Sequence, residues 1–256
     1  MSGKSDPNRP VITTETALSI IEILKAKGEM SLAEIADELP HAKSTVHRHT
    51  ETLVSTGFMI KNDSKYRLSL KFLEIGADTR EDYPVFSASK SRVDELAVET
   101  GEKVWCVVEE RGKSIHIYGH SGGNSIQSNV SIGNHTHLHQ LAAGKAIMAH
   151  LPEQRIDDIV LRYGLPSATE HTITDRETLM EELAGIRERG VAFNQEESGY
   201  RLHAVGAPIR NEDDIAIGAI SVSGPARRLT GEKFTSEIPE LLLEATSDIE
   251  VDLLYS

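Results

Sequence analysis

The chain has 256 residues, 39% of them hydrophobic and 26% charged, with a formal net charge of −13. That length supports one large or two modest packed domains and confines disorder to the ends. No apolar run approaches the ~20 residues of a membrane helix, residues 1–10 lack a signal-peptide core and read as a flexible leader, and the single cysteine, Cys106, excludes an internal disulfide and a multi-cysteine zinc site. A cytoplasmic setting is expected.

The charge is uneven. Residues 1–80 hold 11 basic and 11 acidic side chains, so residues 81–256 carry the whole deficit. Within 41–67, Lys43, Arg48, Lys61, Lys65 and Arg67 face only Glu51 and Asp63. Positive charge is thus local, where a phosphate-binding surface needs it. An acidic body behind such a surface also resembles proteins of salt-loving cytoplasms.

In chain order, Ala17, Ile20, Ile21 and Leu24 form a helical stripe over 14–27, stopped by Gly28. Ser31-Leu-Ala-Glu34 is a capping box for a second helix with Leu32, Ile35, Ala36 and Leu39 inward, and Pro40 ends it. A third helix spans 42–56, with Val46, Leu53 and Val54 inward and Gly57 as its stop. Runs at 58–61 and 65–69 flank Asn62-Asp63-Ser64 as a hairpin. A connector helix follows over 70–78, and a domain boundary falls near 80–84. The second half opens with a helix over 85–100, then strands at 103–109, 114–119 and 125–132 separated by Arg111-Gly112 and Gly122-Gly123-Asn124. Helices are expected at 141–150 and at 152–163, the latter with proline in its first turn. Another begins at a Thr174–Glu177 capping box and packs Leu179, Leu183 and Ile186. Strands at 191–194, 201–209 and 215–222 precede a last helix over 232–254.

Capped helix, proline turn, basic helix and basic hairpin, in that order, outline a winged helix-turn-helix. A helix entering the major groove needs short polar and basic side chains near its start. Here these are Lys43, Ser44, Thr45, His47 and Arg48, with His47 and His49 placed on the solvent side. Lys61, Lys65 and Arg67 of the hairpin would add backbone or minor-groove contacts to double-stranded DNA. The second half reads as an α+β domain with one antiparallel sheet and helices packed on it.

The run KSTVHRHTETLVSTGF followed by YRLSLKFLEIG resembles the isocitrate-lyase-regulator (IclR) family of transcription factors. LAAGKAIMAHL, GIRERGVAFNQEESGYRLHAVGAPI and AIGAISVSGPARRL resemble later segments of the same family, in family order, so the likeness covers about residues 14–250. It implies a winged helix-turn-helix over 11–70, a linker helix over 71–84, and a GAF-like effector-binding and oligomerisation domain over 85–256. It further implies a dimer through the N-terminal halves, often a tetramer on DNA, and control of a catabolic operon by an organic acid, a sugar or an aromatic metabolite. Carried over by motif, the effector site takes Ser221 and Ser223, which a strand points the same way, with Ala204 beside them. Some relatives that bind small acids have a cysteine at that place, so the likeness does not extend to the same ligand. Leu141 and Ala142 open a helix whose N–H groups favour an anion. Glu196 and Glu197 are left among packing, capping and pocket-rim roles.

His135-Thr-His137-Leu-His139 offers a different reading. If extended, alternation sets three imidazoles on one side as a metal site, with Cys106 or Glu196 as a fourth ligand, and the protein becomes a metal-dependent enzyme or sensor. The other reading is a polar loop leading into the next helix. Cys106 beside Trp105 reads as buried filler. Gly119–Asn124 lacks a phosphate-loop ending, no nucleophile elbow is present, and no motif requires a cofactor.

Overall fold

The computed structural model describes residues 11–125 and 130–255. The leader at 1–10 and half of the strand expected at 125–132 lie outside the described residues. Contacts divide the chain into two compact units between Thr79 and Arg80.

Among the described residues the first unit is three helices, most of a fourth and a small sheet. Helix α1 (Ile12–Lys27) buries Thr16, Ile20 and Leu24, and the N–H of Gly28, at φ 79°, returns to the Leu24 carbonyl. Helix α2 (Leu32–Asp37) starts at the expected capping box: the Glu34 carboxylate accepts from the Ser31 N–H at 2.7 Å, and Ser31 Oγ accepts from the Glu34 N–H at 3.4 Å. Helix α3 (Lys43–Ser55) buries Val46, Thr50 and Leu53. Strands β2 (Met59–Asn62) and β3 (Lys65–Leu68) form the hairpin. Asn62 pairs with Lys65, so the turn is only Asp63 and Ser64, with Asp63 at φ 52°. A two-residue strand, β1 (Met30–Ser31), adds to the far side of β3. Ile20, Leu24, Met30, Ile35, Val46, Leu53, Met59 and Tyr66 make the core.

Helix α4 (Lys71–Glu81) buries no residue. Its start is fastened inside the first unit: Lys71 Nζ donates to the Thr56 carbonyl at 2.9 Å and lies 4.4 Å from the Phe58 ring, and Phe72 packs on Phe58.

The second unit is a six-stranded antiparallel sheet in the order β6-β5-β4-β9-β8-β7. Its strands are β4 (Lys103–Glu110), β5 (Lys113–Ser121), β6 (His135–His137), β7 (Ala192–Gln195), β8 (Leu202–Arg210) and β9 (Ala216–Pro225). Period-2 alternation gives the sheet two apolar faces. Val104, Cys106 and Val108 turn toward α5 (Pro84–Thr100) and α9 (Ile238–Leu254). Trp105, Val107 and Ala219 turn toward α6 (Ala142–Ala149), α7 (Glu153–Tyr163) and α8 (Arg176–Arg189). The expected α+β class, with helices flanking an antiparallel sheet, is therefore the one found.

Four expectations need correction. The strand beside β5 is His135–His137, paired with Lys113–Ile115, while Ser125 and residues 130–132 are not strand. An edge strand needs only backbone pairing on one side, so its residues need not alternate apolar and polar. The cap of α8 is Asp175, whose carboxylate accepts from the Thr178 N–H at 2.9 Å, one residue after the expected Thr174. Pro152 is the N-cap of α7 instead of lying in its first turn. Residues Lys233–Glu237 form a π-helical turn ahead of α9.

One glycine sets how the upper layer sits. A Cβ on Gly206 of β8 would come within 2.7 Å of the backbone of Ala142 and Ala143, so only glycine lets the start of α6 rest on the sheet. Gly206→Ala is expected to cost about 1–3 kcal/mol by overpacking. Gly199→Ala, where a Cβ meets nothing within 4 Å, should stay within about 0.5 kcal/mol. Urea unfolding followed by the single, buried Trp105 checks both, and equal stability of the two variants would refute the close seat.

Candidate functional site

Two surfaces gather the residues singled out in the sequence. On the first unit, Lys43, Ser44, Thr45, His47 and Arg48 of α3 are all exposed, as are Lys61, Lys65 and Arg67 of the hairpin. Val46, Thr50 and Leu53 face inward at helical spacing, which turns 44, 47, 48 and 51 outward. His49, expected on the solvent side, is half-buried.

Glu51, counted above only as an offsetting charge, organises this surface. Its Oε1 accepts from Lys61 Nζ at 3.3 Å and from the buried Tyr66 hydroxyl at 3.2 Å, and His47 Nδ1 lies 3.7 Å away. The hydrogen bond from Lys61, then that from Tyr66, holds the Glu51 carboxyl below its usual range. Lys61 is therefore half of an ion pair that ties β2 to α3. Lys43, Arg48, Lys65 and Arg67 supply the cationic side chains not engaged with Glu51.

On the second unit, Leu141, Ala142, Ala204, Ser221 and Ser223 line one cavity of about 190 Å³, together with Trp105, His116, Gln140 and Asn194. Register explains the convergence. Ser221 lies across from Trp105 and Gly206, Ser223 across from Lys103 and Ala204, and all face the α6 side. Ser221 is buried at 6% exposure and Ser223 is half-buried. The first-turn N–H groups of α6 lack carbonyl partners four residues back and carry the positive end of the helix dipole. No Lys, Arg, Asp or Glu is among the described lining residues. His116 has its basicity lowered by burial, partly offset by a bond to the Asn134 carbonyl.

The elements around this cavity are braced by a pair that sequence reasoning passed over. Lys145 of α6 is 2% exposed, and its ammonium donates to both oxygens of Glu197 at 2.7 Å. Burial pushes the Glu197 carboxyl up and Lys145 opposes that. The Glu197 N–H donates to Asn194 Oδ1 at 3.1 Å, and Asn194 Nδ2 donates to the Gln140 carbonyl at 2.6 Å. Thr172 Oγ1 donates to the Glu197 carbonyl at 2.6 Å. Glu196, at φ 65°, accepts the Arg201 N–H at 2.6 Å and shapes the corner between β7 and β8.

The histidine series does not assemble a metal site. His135 is exposed, His137 has Lys113 Nζ 2.8 Å from its Nε2, and His139 leaves the strand for a 3-10 turn, with Nε2 3.1 Å from the Pro166 carbonyl. An ammonium against one ring repels a cation. Among the described residues no group of three or more His, Cys, Asp or Glu is placed to hold a metal ion. Cys106 is buried among apolar neighbours on the α5 and α9 side of the sheet, and burial pushes its thiol up to about 12.

A helix-turn-helix presenting a basic helix, joined to a domain with a ligand-sized cavity, defines a DNA-binding transcriptional regulator. The family model for the IclR helix-turn-helix domain matches residues 13–61, and that for the bacterial transcriptional regulator IclR C-terminal domain matches residues 79–251. The chain belongs to the IclR family of transcriptional regulators, which are not enzymes. It is 31% identical to the probable HTH-type transcriptional regulator ArcR of Halobacterium salinarum, over 98% of this chain and 97% of that one. It is 27% identical to the HTH-type transcriptional repressor AllR of Escherichia coli, over 98% of this chain and 94% of that one. Among solved structures, the Thermotoga maritima IclR aligns with a TM-score of 0.81 at 28% identity, over 94% of this chain and 98% of that one. An IclR homologue from Microbacterium hydrocarbonoxydans, complexed with 4-hydroxybenzoate, aligns with a TM-score of 0.82 at 20% identity, over 95% and 100%, and shows a shared fold. No helix of the described residues is long and apolar enough to cross a membrane.

Lys145→Met should destabilise the second unit by about 3–5 kcal/mol, since it strands a buried carboxylate. Lys145→Met with Glu197→Met should recover part of that loss. Urea midpoints read from Trp105 fluorescence test this, and a single variant as stable as wild type would show the pair is not braced as described.

Proposed function

We propose that this regulator represses or activates a cytoplasmic catabolic operon by reading a two-fold operator through α3 and the hairpin, and that a small organic acid with one carboxylate controls it. The observation that carries the acid is the start of α6 opening onto a cavity with two same-facing serines and no charged side chain among its described lining residues. Helix N–H groups and hydroxyls stabilise a carboxylate without a counter-cation. A sugar would leave those oriented donors facing oxygens without charge, and a multiply charged acid would bury charge without partners. The volume, about 190 Å³, suits a ligand somewhat larger than benzene, which a cavity of about 150 Å³ binds. A relative of the same fold holds 4-hydroxybenzoate, an acid of that size. Binding biases the equilibrium between DNA-competent and incompetent arrangements by its differential affinity for the two.

A dimer fits exposed apolar side chains on the helices of the first unit: Leu18 on α1, and Leu73 and Ile75 on α4 are 57%, 68% and 43% exposed. Burying these side chains against a second copy would remove apolar surface from water. On DNA, a dimer reads two half-sites about one helical turn apart.

Selection from a random duplex pool should therefore recover inverted half-sites, and Arg48→Ala should weaken binding to the selected duplex by roughly tenfold or more. Unchanged affinity in a mobility-shift titration would remove α3 as the reader, and single half-sites would remove the dimer. Thermal-shift measurements with benzoate, 4-hydroxybenzoate and pyruvate should raise the melting temperature, where glucose and inorganic phosphate do not. Stabilisation by glucose alone would replace the acid with a sugar.

A further inference from the structure

We propose that His116 is the specificity-determining residue of the effector cavity: its Nε2 accepts a hydrogen bond from a hydroxyl or amino group of the ligand, so the effector is a small monocarboxylate with a donor on the end away from its carboxylate. This rests on the acid reading of the cavity given above.

Geometry fixes the tautomer. His116 Nδ1 lies 3.4 Å from the Asn134 carbonyl oxygen, and the His116 backbone N–H donates to the same oxygen at 3.3 Å. A carbonyl oxygen only accepts, so Nδ1 carries the proton and Nε2 presents a lone pair. The ring stands edge-on to Trp105, with centroids 5.0 Å apart, which limits its rotation.

Nε2 has no partner among the described residues, yet it is not sealed in protein. The buried side-chain polar atoms without a partner among those residues are Arg80 Nε and Ser114 Oγ. His116 itself is 5% exposed and lines the cavity, so the open space that Nε2 meets is the cavity. Among the described residues the ring's printed contacts are neutral, Trp105 on β4 and the Asn134 carbonyl ahead of β6, and the cavity lining they share with Thr136 holds no Lys, Arg, Asp or Glu. Burial keeps the imidazole less basic than usual, which preserves the lone pair at neutral pH.

Topology places this acceptor at the other end of the cavity from the anion donors. His116 is on β5, and the start of α6 rests over Gly206 on β8, three strands away in the order β5-β4-β9-β8. Three strand spacings are about 14 Å, less the reach of the His116 side chain and a hydrogen bond at each end. A ligand whose carboxylate sits at α6 thus points its far end at Nε2. A far end that cannot donate would dehydrate the lone pair without replacing its hydrogen bond, so an acid that lacks the donor still binds, but more weakly.

Matched acids test this by calorimetric titration of the full chain: 4-hydroxyphenylacetate against phenylacetate, and 4-hydroxybutyrate against butyrate. The hydroxylated member of a binding pair should bind at least tenfold tighter. His116→Phe should erase that preference while still binding the deoxy acid, and His116→Gln, which restores an acceptor, should return part of it. Circular dichroism and binding to the selected duplex check that both variants fold. Equal affinities within the pairs in the wild type overturn the role of His116 and leave the acid reading standing. A preference undiminished in His116→Phe overturns it as well. If no acid of either pair binds the wild type, the acid reading fails and this proposal falls with it.

Discussion

The arrangement of the second unit turns on one buried ammonium. Lys145 lies in a helix whose eight residues are all buried, where an unpaired charge would cost several kcal/mol. Glu197 neutralises it with both carboxylate oxygens. That requirement fixes more than the pair itself. Glu197 must arrive from the corner after β7, so Glu196 takes a left-handed backbone. The Thr169 and Thr172 hydroxyls then hold the carbonyls of Glu196 and Glu197, which ties the segment before α8 to the same corner. Asn194 links the corner to Gln140 just ahead of α6. The start of α6, which lines the cavity, is thereby held in place, and on the acid reading proposed above that lowers the ordering cost of binding.

The first unit uses charge differently. Glu51 sits within an otherwise basic surface and draws Lys61 and Tyr66 onto one oxygen. In an exposed setting such a pair contributes little to stability. Its effect is positional: the hairpin and the reading helix present their remaining cations at a fixed spacing. Phosphate contacts position a protein on the duplex while base contacts specify sequence, so a fixed spacing matters more here than one further free lysine.

Long periodic elements were legible from the chain alone. α1, α3, α5, α8 and α9 follow apolar stripes at helical spacing, and the Ser31–Glu34 capping box is present as read. Short pieces escaped for a physical reason. β1 has two residues, too few to alternate, and β6 is an edge strand of His-Thr-His held by backbone pairing. Its histidines suggested a metal because alternation was extended to 139, where the backbone has already turned. The five candidate effector residues meet at one cavity because motif spacing fixed the strand positions of Ala204, Ser221 and Ser223 and the helix start at Leu141 and Ala142, whereas His116 belongs to no motif and reached the cavity only through sheet register. Lys145 did leave a signal. A helix apolar on every side is a buried helix, and a lysine inside it must have a carboxylate partner. The two glutamates at 196 and 197 were the candidates, but only tertiary contact separates the one that pairs from the one that shapes the turn.

The acid excess of the second unit bears on both ligands. A net charge of −13 opposes the approach of DNA and of an organic anion alike. This repulsion acts over distance, and at physiological ionic strength it is largely screened beyond about 8 Å. The contacts that bind either ligand act at about 3 Å, between groups that exclude water and salt. The global charge therefore governs how fast an anion arrives, and a few oriented donors govern whether it stays. On the reading proposed above, those donors are cations spaced by Glu51 on the first unit, and in the second they are backbone N–H groups and hydroxyls, which would hold a single negative charge without a lysine or arginine that any competing anion would also find.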